Sequence, residues 1–110
     1  MIYSVVETRE AIKDLCDIKN YIIYNLCNIQ AANNFLNRYD SAIKLLSIFP
    51  FGHKGTKILY RKYEVHIKPF SSYLIFYIIN KEYRKIYVLR VLKNIQNWQK
   101  ILNESDNYHI

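Results

Sequence analysis

The chain reads as an α+β fold, an antiparallel sheet of four to five strands with an N-terminal helical hairpin packed on one face and a short C-terminal helix. Three observations predict it. The run Tyr63 to Lys93 divides into three consecutive strand-like segments. The first half instead repeats its apolar residues at three- and four-residue intervals, the period of helices. Both glycines and one of the two prolines fall in the segment Phe49 to Lys57, which separates the two halves as a loop.

Taken in order, Met1 to Val6 alternates weakly and is followed by Thr8, a residue type that caps helices, so a first strand should join the sheet and run straight into a helix. From Arg9 to about Asn28, Ala11, Ile12, Leu15, Ile18, Ile22 and Leu26 form one apolar stripe. The helix should break near Asn28. A second helix follows, with Ala32, Phe35, Leu36, Tyr39, Ala42, Ile43 and Leu46 on its apolar side, and so short a link implies an antiparallel pair. Ile58 to Arg61 is a short strand and Asn94 to Leu102 a short helix, while the polar tail 103–110 should be frayed.

Within the sheet half, Tyr73 to Ile79 is apolar on both sides and belongs at the centre. Ile86 to Lys93 alternates Ile86, Val88, Arg90 and Leu92 against Tyr87, Leu89, Val91 and Lys93. Tyr63 to Lys68 places Tyr63, Val65 and Ile67 on one face and Glu64, His66 and Lys68 on the other. If the hairpin covers one face of the sheet and leaves the other open, the charged triplet becomes a working surface on a rigid platform.

A chain of 110 residues fits one domain, 1–110. No apolar segment approaches the roughly 18 residues that span a bilayer, and the charged N-terminus does not resemble a signal peptide, so a cytoplasmic protein without membrane partners is expected. Cys16 and Cys27, on one helix, would lie about 16 Å apart, too far for a disulfide, and read as core or boundary residues. No Cys or His spacing suits a metal, and no cofactor is expected. The net charge of +7 is uneven: residues 1–50 hold five Lys/Arg and five Asp/Glu, residues 51–110 eleven and four. A one-sided positive field suits nucleic acid or an acidic protein partner, although an AT-rich codon bias toward lysine would have the same effect.

Thr8, Ala11, Asp14-Leu15, Ile18, Tyr21-Ile22, Phe49-Pro50, Tyr63-x-Val65, Tyr73-Leu74-Ile75-Phe76-Tyr77 and Val88-Leu89-Arg90-Val91-Leu92 together resemble the RelE/ParE superfamily of bacterial toxins from type II toxin–antitoxin, or plasmid stabilisation, systems. The resemblance covers roughly residues 3–102. It implies a growth inhibitor held inactive in a hetero-oligomer by an antitoxin whose flexible tail wraps the hairpin and sheet. One branch of the superfamily poisons DNA gyrase and the other cleaves mRNA on the ribosome; a non-toxic protein-binding relic is a third reading.

Cleavage through a 2′-hydroxyl needs a base, an acid and cations around the phosphate. His66, Lys68, Arg61 and Arg90 are the groups available for it, with Tyr108 only if the tail folds back. Lys62, Lys93, Tyr73 and Trp98 are candidates for contact with nucleic acid or the target. Against the ribonuclease branch, Tyr73-Leu74 stands where Tyr-Arg is common, and Lys93-Asn94-Ile95-Gln96 replaces an arginine-bearing turn. The balance favours a gyrase-directed toxin. Each residue also has a plainer role: His66 as an exposed strand histidine, Lys68 as a solubilising charge, Arg90 as a partner of Glu64 or Asp14, and Tyr73 and Trp98 as packing.

Overall fold

A computed structural model of the chain describes residues 2–53, 55–93 and 100–102. Strand β1 (Ser4–Glu7) leads into helix α1 (Arg9–Asn20), which continues as a π-helical turn over Tyr21–Asn25. Helix α2 (Ile29–Ile48) returns, and the chain then runs through β2 (Gly55–Tyr60), β3 (Tyr63–Phe70), β4 (Tyr73–Asn80) and β5 (Lys85–Lys93). Residues 100–102 are helical. The other six residues of the expected terminal helix, with Trp98, and the expected frayed tail, with Tyr108, lie outside the described residues.

The expected fold class holds. All five strands form one sheet in the order β1-β5-β4-β3-β2, antiparallel except where β1 joins β5 in parallel. A parallel partner needs a long connection, and here it runs through both helices and then β2, β3 and β4. The doubly apolar β4 is the central strand, and five of its eight residues are buried.

Local chemistry explains the helix boundaries. Thr8 is fully buried and caps α1 by accepting from the Ala11 amide at 3.1 Å. Its hydroxyl also reaches the Val88 and Leu89 carbonyls, at 2.8 and 3.0 Å, so one side chain ties the helix start to β5. Asn28 marks the break between the helices and caps α2 through its Oδ1, which accepts from the Ala31 amide at 2.9 Å. Cys16 and Cys27 are both exposed thiols rather than core or boundary residues. Cys27 takes a left-handed φ of 51° in the link, a position no packed helix side chain occupies.

Two corrections to the expected sheet bear on function. The alternation along β5 does not run straight through: Ile86, Val88 and Val91 share the core cluster under the hairpin, while Tyr87, Leu89 and Leu92 belong to the cluster on the reverse face. A β-bulge causes the change, because Phe76 pairs with Arg90 but the adjacent Tyr77 pairs with Val88, leaving Leu89 as the extra residue.

The second correction concerns the open face. The charged side of β3 lies on the hairpin side of the sheet: His66 pairs with Tyr77 and Lys68 with Ile75, both members of the core under the helices. The reverse face is apolar, with Val65, Ile67, Phe76, Ile78, Leu89 and Leu92 buried and Ile101 and Leu102 packed on it. The sheet therefore buries both faces, and the apolar side of β3 belongs to the second core. Glu64, His66 and Lys68 nevertheless stay half-exposed. Helix α2 meets this face of β3 through Phe35 and Tyr39, whose rings tilt against Phe70, two residues beyond Lys68, and the earlier part of β3 is left at the flank.

Candidate functional site

The uncovered flank of β3 is completed by the loop that follows α2. Tyr77, buried on β4, donates from its hydroxyl to the Pro50 carbonyl at 2.9 Å and so holds Phe49–His53 against the sheet. This brings the His53 carbonyl to 3.4 Å from Nδ1 of His66, and both imidazoles stand around the Tyr77 ring, at 6.3 and 5.7 Å between centroids. Burial, the neighbouring Lys68 ammonium and His66 together hold His53 below the usual histidine range, so it favours the neutral form. Glu64 reaches across to β2: its Oε2 accepts from the Lys57 amide at 3.0 Å, and its carboxylate fills the place a Cβ would take on Gly55, the cross-strand partner of His66. Two imidazoles and an ammonium thus share one corner, with the Glu64 carboxylate beside them.

The four residues put forward for cleavage do not converge there. His66 and Lys68 share the flank. Arg90 is on β5, two strands and about 10 Å of backbone away across the fully buried Ile75. Its Nε and Nη2 donate to the two carboxylate oxygens of Asp14 at 2.7 and 2.9 Å, and the Val91 amide donates to the same carboxylate at 3.0 Å. Arg90 therefore occupies the structural role anticipated for it as a partner of Asp14. Arg61 sits in the β2–β3 turn, on the order of 15 Å along the strand from His66. With only two glycines in the chain, Arg61 itself supplies the left-handed φ of 58° that this turn requires.

The target-contact candidates are also dispersed. Lys62 lies over the Tyr63 ring at 5.7 Å, beside Arg61 over Tyr60 at 5.2 Å. Lys93 lies over Tyr21 at 4.7 Å, at the far end of the sheet, where a cavity of about 370 Å³ runs between α1 and β5. Tyr73 stacks on Phe70 and meets Phe35 edge-on, so its ring serves packing. Trp98 is outside the described residues. Among those residues, no cluster of His, Cys, Asp or Glu is arranged to hold a metal ion.

Comparison with known proteins bears directly on this geometry. Residues 5–98 match the family described as the ParE toxin of the type II toxin–antitoxin system parDE. The chain belongs to the ParE toxin family. No curated protein matches it. Among solved structures, the RelBE2 toxin–antitoxin complex from Mycobacterium tuberculosis shares the fold, with a TM-score of 0.59 at 19% identity over 86% of this chain and 100% of that one.

Three residues of this ParE-family toxin are not legible as site residues in its sequence. His53 reads only as part of a loop; its neighbour Pro50 is the available signal, since the rigid Phe-Pro-Phe turn is what Tyr77 fastens. Tyr77 looks like ordinary core because its hydroxyl partner is 27 residues away. Arg38 is invisible, being on the polar side of an amphipathic helix, yet its Nη1 donates to the Ser71 Oγ at 3.0 Å and links α2 to the β3–β4 turn.

Proposed function

We propose that this type II toxin stops growth by acting on DNA gyrase in the cytoplasm, without cutting RNA, and that a cognate antitoxin holds it inactive in a hetero-oligomer. Membership of the ParE family favours gyrase as the target. The observation that carries the non-nucleolytic part is the loss of both arginine candidates from the flank of His66 and Lys68: Arg90 is engaged by Asp14, and Arg61 sits in the β2–β3 turn. Cleavage at that flank would rest on His66 and Lys68 without a guanidinium to stabilise the charge on the phosphate, which supports a toxin that does not cut RNA. The antitoxin follows from the family and from the RelBE2 structure, which is a toxin–antitoxin complex.

The test uses the purified chain in two parallel assays. With bacterial gyrase, ATP and plasmid DNA, it should block supercoiling and accumulate protein-linked double-strand breaks. On translating ribosomes, primer extension should show intact mRNA. Cleavage at defined codon positions, lost in His66→Ala/Lys68→Ala, would instead establish a ribosome-dependent nuclease. Normal growth on induction without the antitoxin would leave a protein-binding relic.

A further inference from the structure

Between α2 and β3 runs a cleft that the gyrase reading does not use. One part, about 380 Å³, has Arg38 and Ser41 on its helix wall and Lys68 and Ser71 on its sheet wall. A second part, about 290 Å³, shares Arg38 and Ser71 with the first and continues past Asn34 to Ser72, so the two make one groove. Neither part is lined by an aspartate or glutamate. Between Asn34 and Leu45 the helix wall is about 17 Å long at 1.5 Å per residue.

The two cations are held in place without being neutralised. Arg38 is oriented by Ser71, whose left-handed φ of 50° in the β3–β4 turn aims its hydroxyl at the guanidinium. A hydroxyl leaves the guanidinium charge uncompensated, and the remaining N–H donors of Arg38 meet no carboxylate among the described residues. Lys68 is half-buried on a rigid strand and also makes no ion pair among the described residues. Arg38 is exposed and Lys68 half-buried, so both charges are open to an anion entering the groove.

We propose that this cleft binds the phosphodiester backbone of a single DNA strand, with Arg38 and Lys68 as its cationic contacts. Hydroxyl, amide and cationic donors recur along both walls, matching a ligand that presents acceptor oxygens at every step. Donors repeated along both walls suit a regular backbone better than an acidic peptide, whose charges sit on flexible side chains; the floor between the walls is apolar, with Ala42, Leu45, Pro69 and Phe70. The toxin would then hold DNA directly as well as acting on the enzyme that cuts it.

Fluorescence anisotropy with labelled dT12 at low salt tests this in the full chain. Arg38→Gln/Lys68→Gln should weaken binding more than tenfold and flatten the slope of log K against log salt by about 1.4, the value for two phosphate contacts on a single strand. Lys81→Gln/Lys85→Gln removes the same charge around the β4–β5 turn and should weaken binding less than threefold; Arg38→Lys should retain most of it. Lys68→Gln alone, a change at a side chain with no ion pair, covers the case in which the double variant unfolds, and should flatten the slope by about 0.7. Equal losses from the two double variants, an unchanged slope, no binding of dT12, or equally tight binding of a labelled 12-residue polyglutamate through the same residues would each overturn the proposal. Gyrase inhibition is scored separately, so either reading can fail while the other stands.

Discussion

Replacing Asp14 by asparagine should destabilise the chain by about 3 kcal/mol. The carboxylate takes two charged hydrogen bonds from Arg90 and one from the Val91 amide, and the two side chains are only 11% and 20% exposed. Breaking a buried ion pair from one side costs roughly 3–5 kcal/mol because the surviving charge is left uncompensated. The partial exposure of Arg90 puts the effect at the lower end. The introduced side-chain amide would still accept from the Val91 N–H through its carbonyl oxygen, so the loss isolates the guanidinium contact. A domain of this size has about 5–15 kcal/mol in all, which makes the loss a large share. Urea unfolding followed by circular dichroism should move its midpoint down by roughly 1.5–2 M at an m-value near 1.5–2 kcal/mol/M. A cycle of Asp14→Asn, Arg90→Met and the double variant should give a coupling of at least roughly 1.5 kcal/mol. A coupling below about 0.5 kcal/mol would mean that the pair is incidental and that Arg90 is available for other work.

Two further outcomes follow from buried hydroxyls. Thr8→Val keeps the shape and the backbone N–H that Val88 accepts from, but removes the cap on Ala11 and the hydroxyl donor to Leu89, so stability should fall by about 2 kcal/mol, read as a drop in Tm of roughly 8–10 °C. Tyr39, which donates to Glu7 at 2.5 Å, and Tyr77 are both held protonated well above the usual phenol range, chiefly by burial. Since the folded state keeps these protons while the unfolded chain loses them above about pH 10, stability is intact below that pH and falls as it rises, by up to ~1.4 kcal/mol per pH unit for each group. Tyr39→Phe and Tyr77→Phe should each make the alkaline limb shallower in unfolding measured from about pH 9 to 11.5; an unchanged limb would refute the assignment.

Much of the fold was legible because each helix carries one apolar stripe and β4 is apolar throughout. Thr8 announced a helix start through chemistry that acts over three residues, and the structure uses it in that way; Asn28 was legible only as a break, and the structure makes it the cap of α2 as well. The site was harder to read. A period of two shows that Glu64, His66 and Lys68 share a side but not which layer that side faces, and the apolar side of β3 turned out to serve a second core.

What the sequence by itself determined was therefore local and periodic: the helical pair, the strand succession, the Thr8 cap and the family likeness, all set by neighbours within a few positions. Tertiary structure alone decided the rest. It turned the charged side of β3 toward the hairpin, engaged Arg90 with Asp14 from 76 residues away, bulged β5 at Leu89, and set Arg38 opposite Lys68 across a groove. These contacts depend on how two packed layers meet, and no repeat along the chain records that geometry.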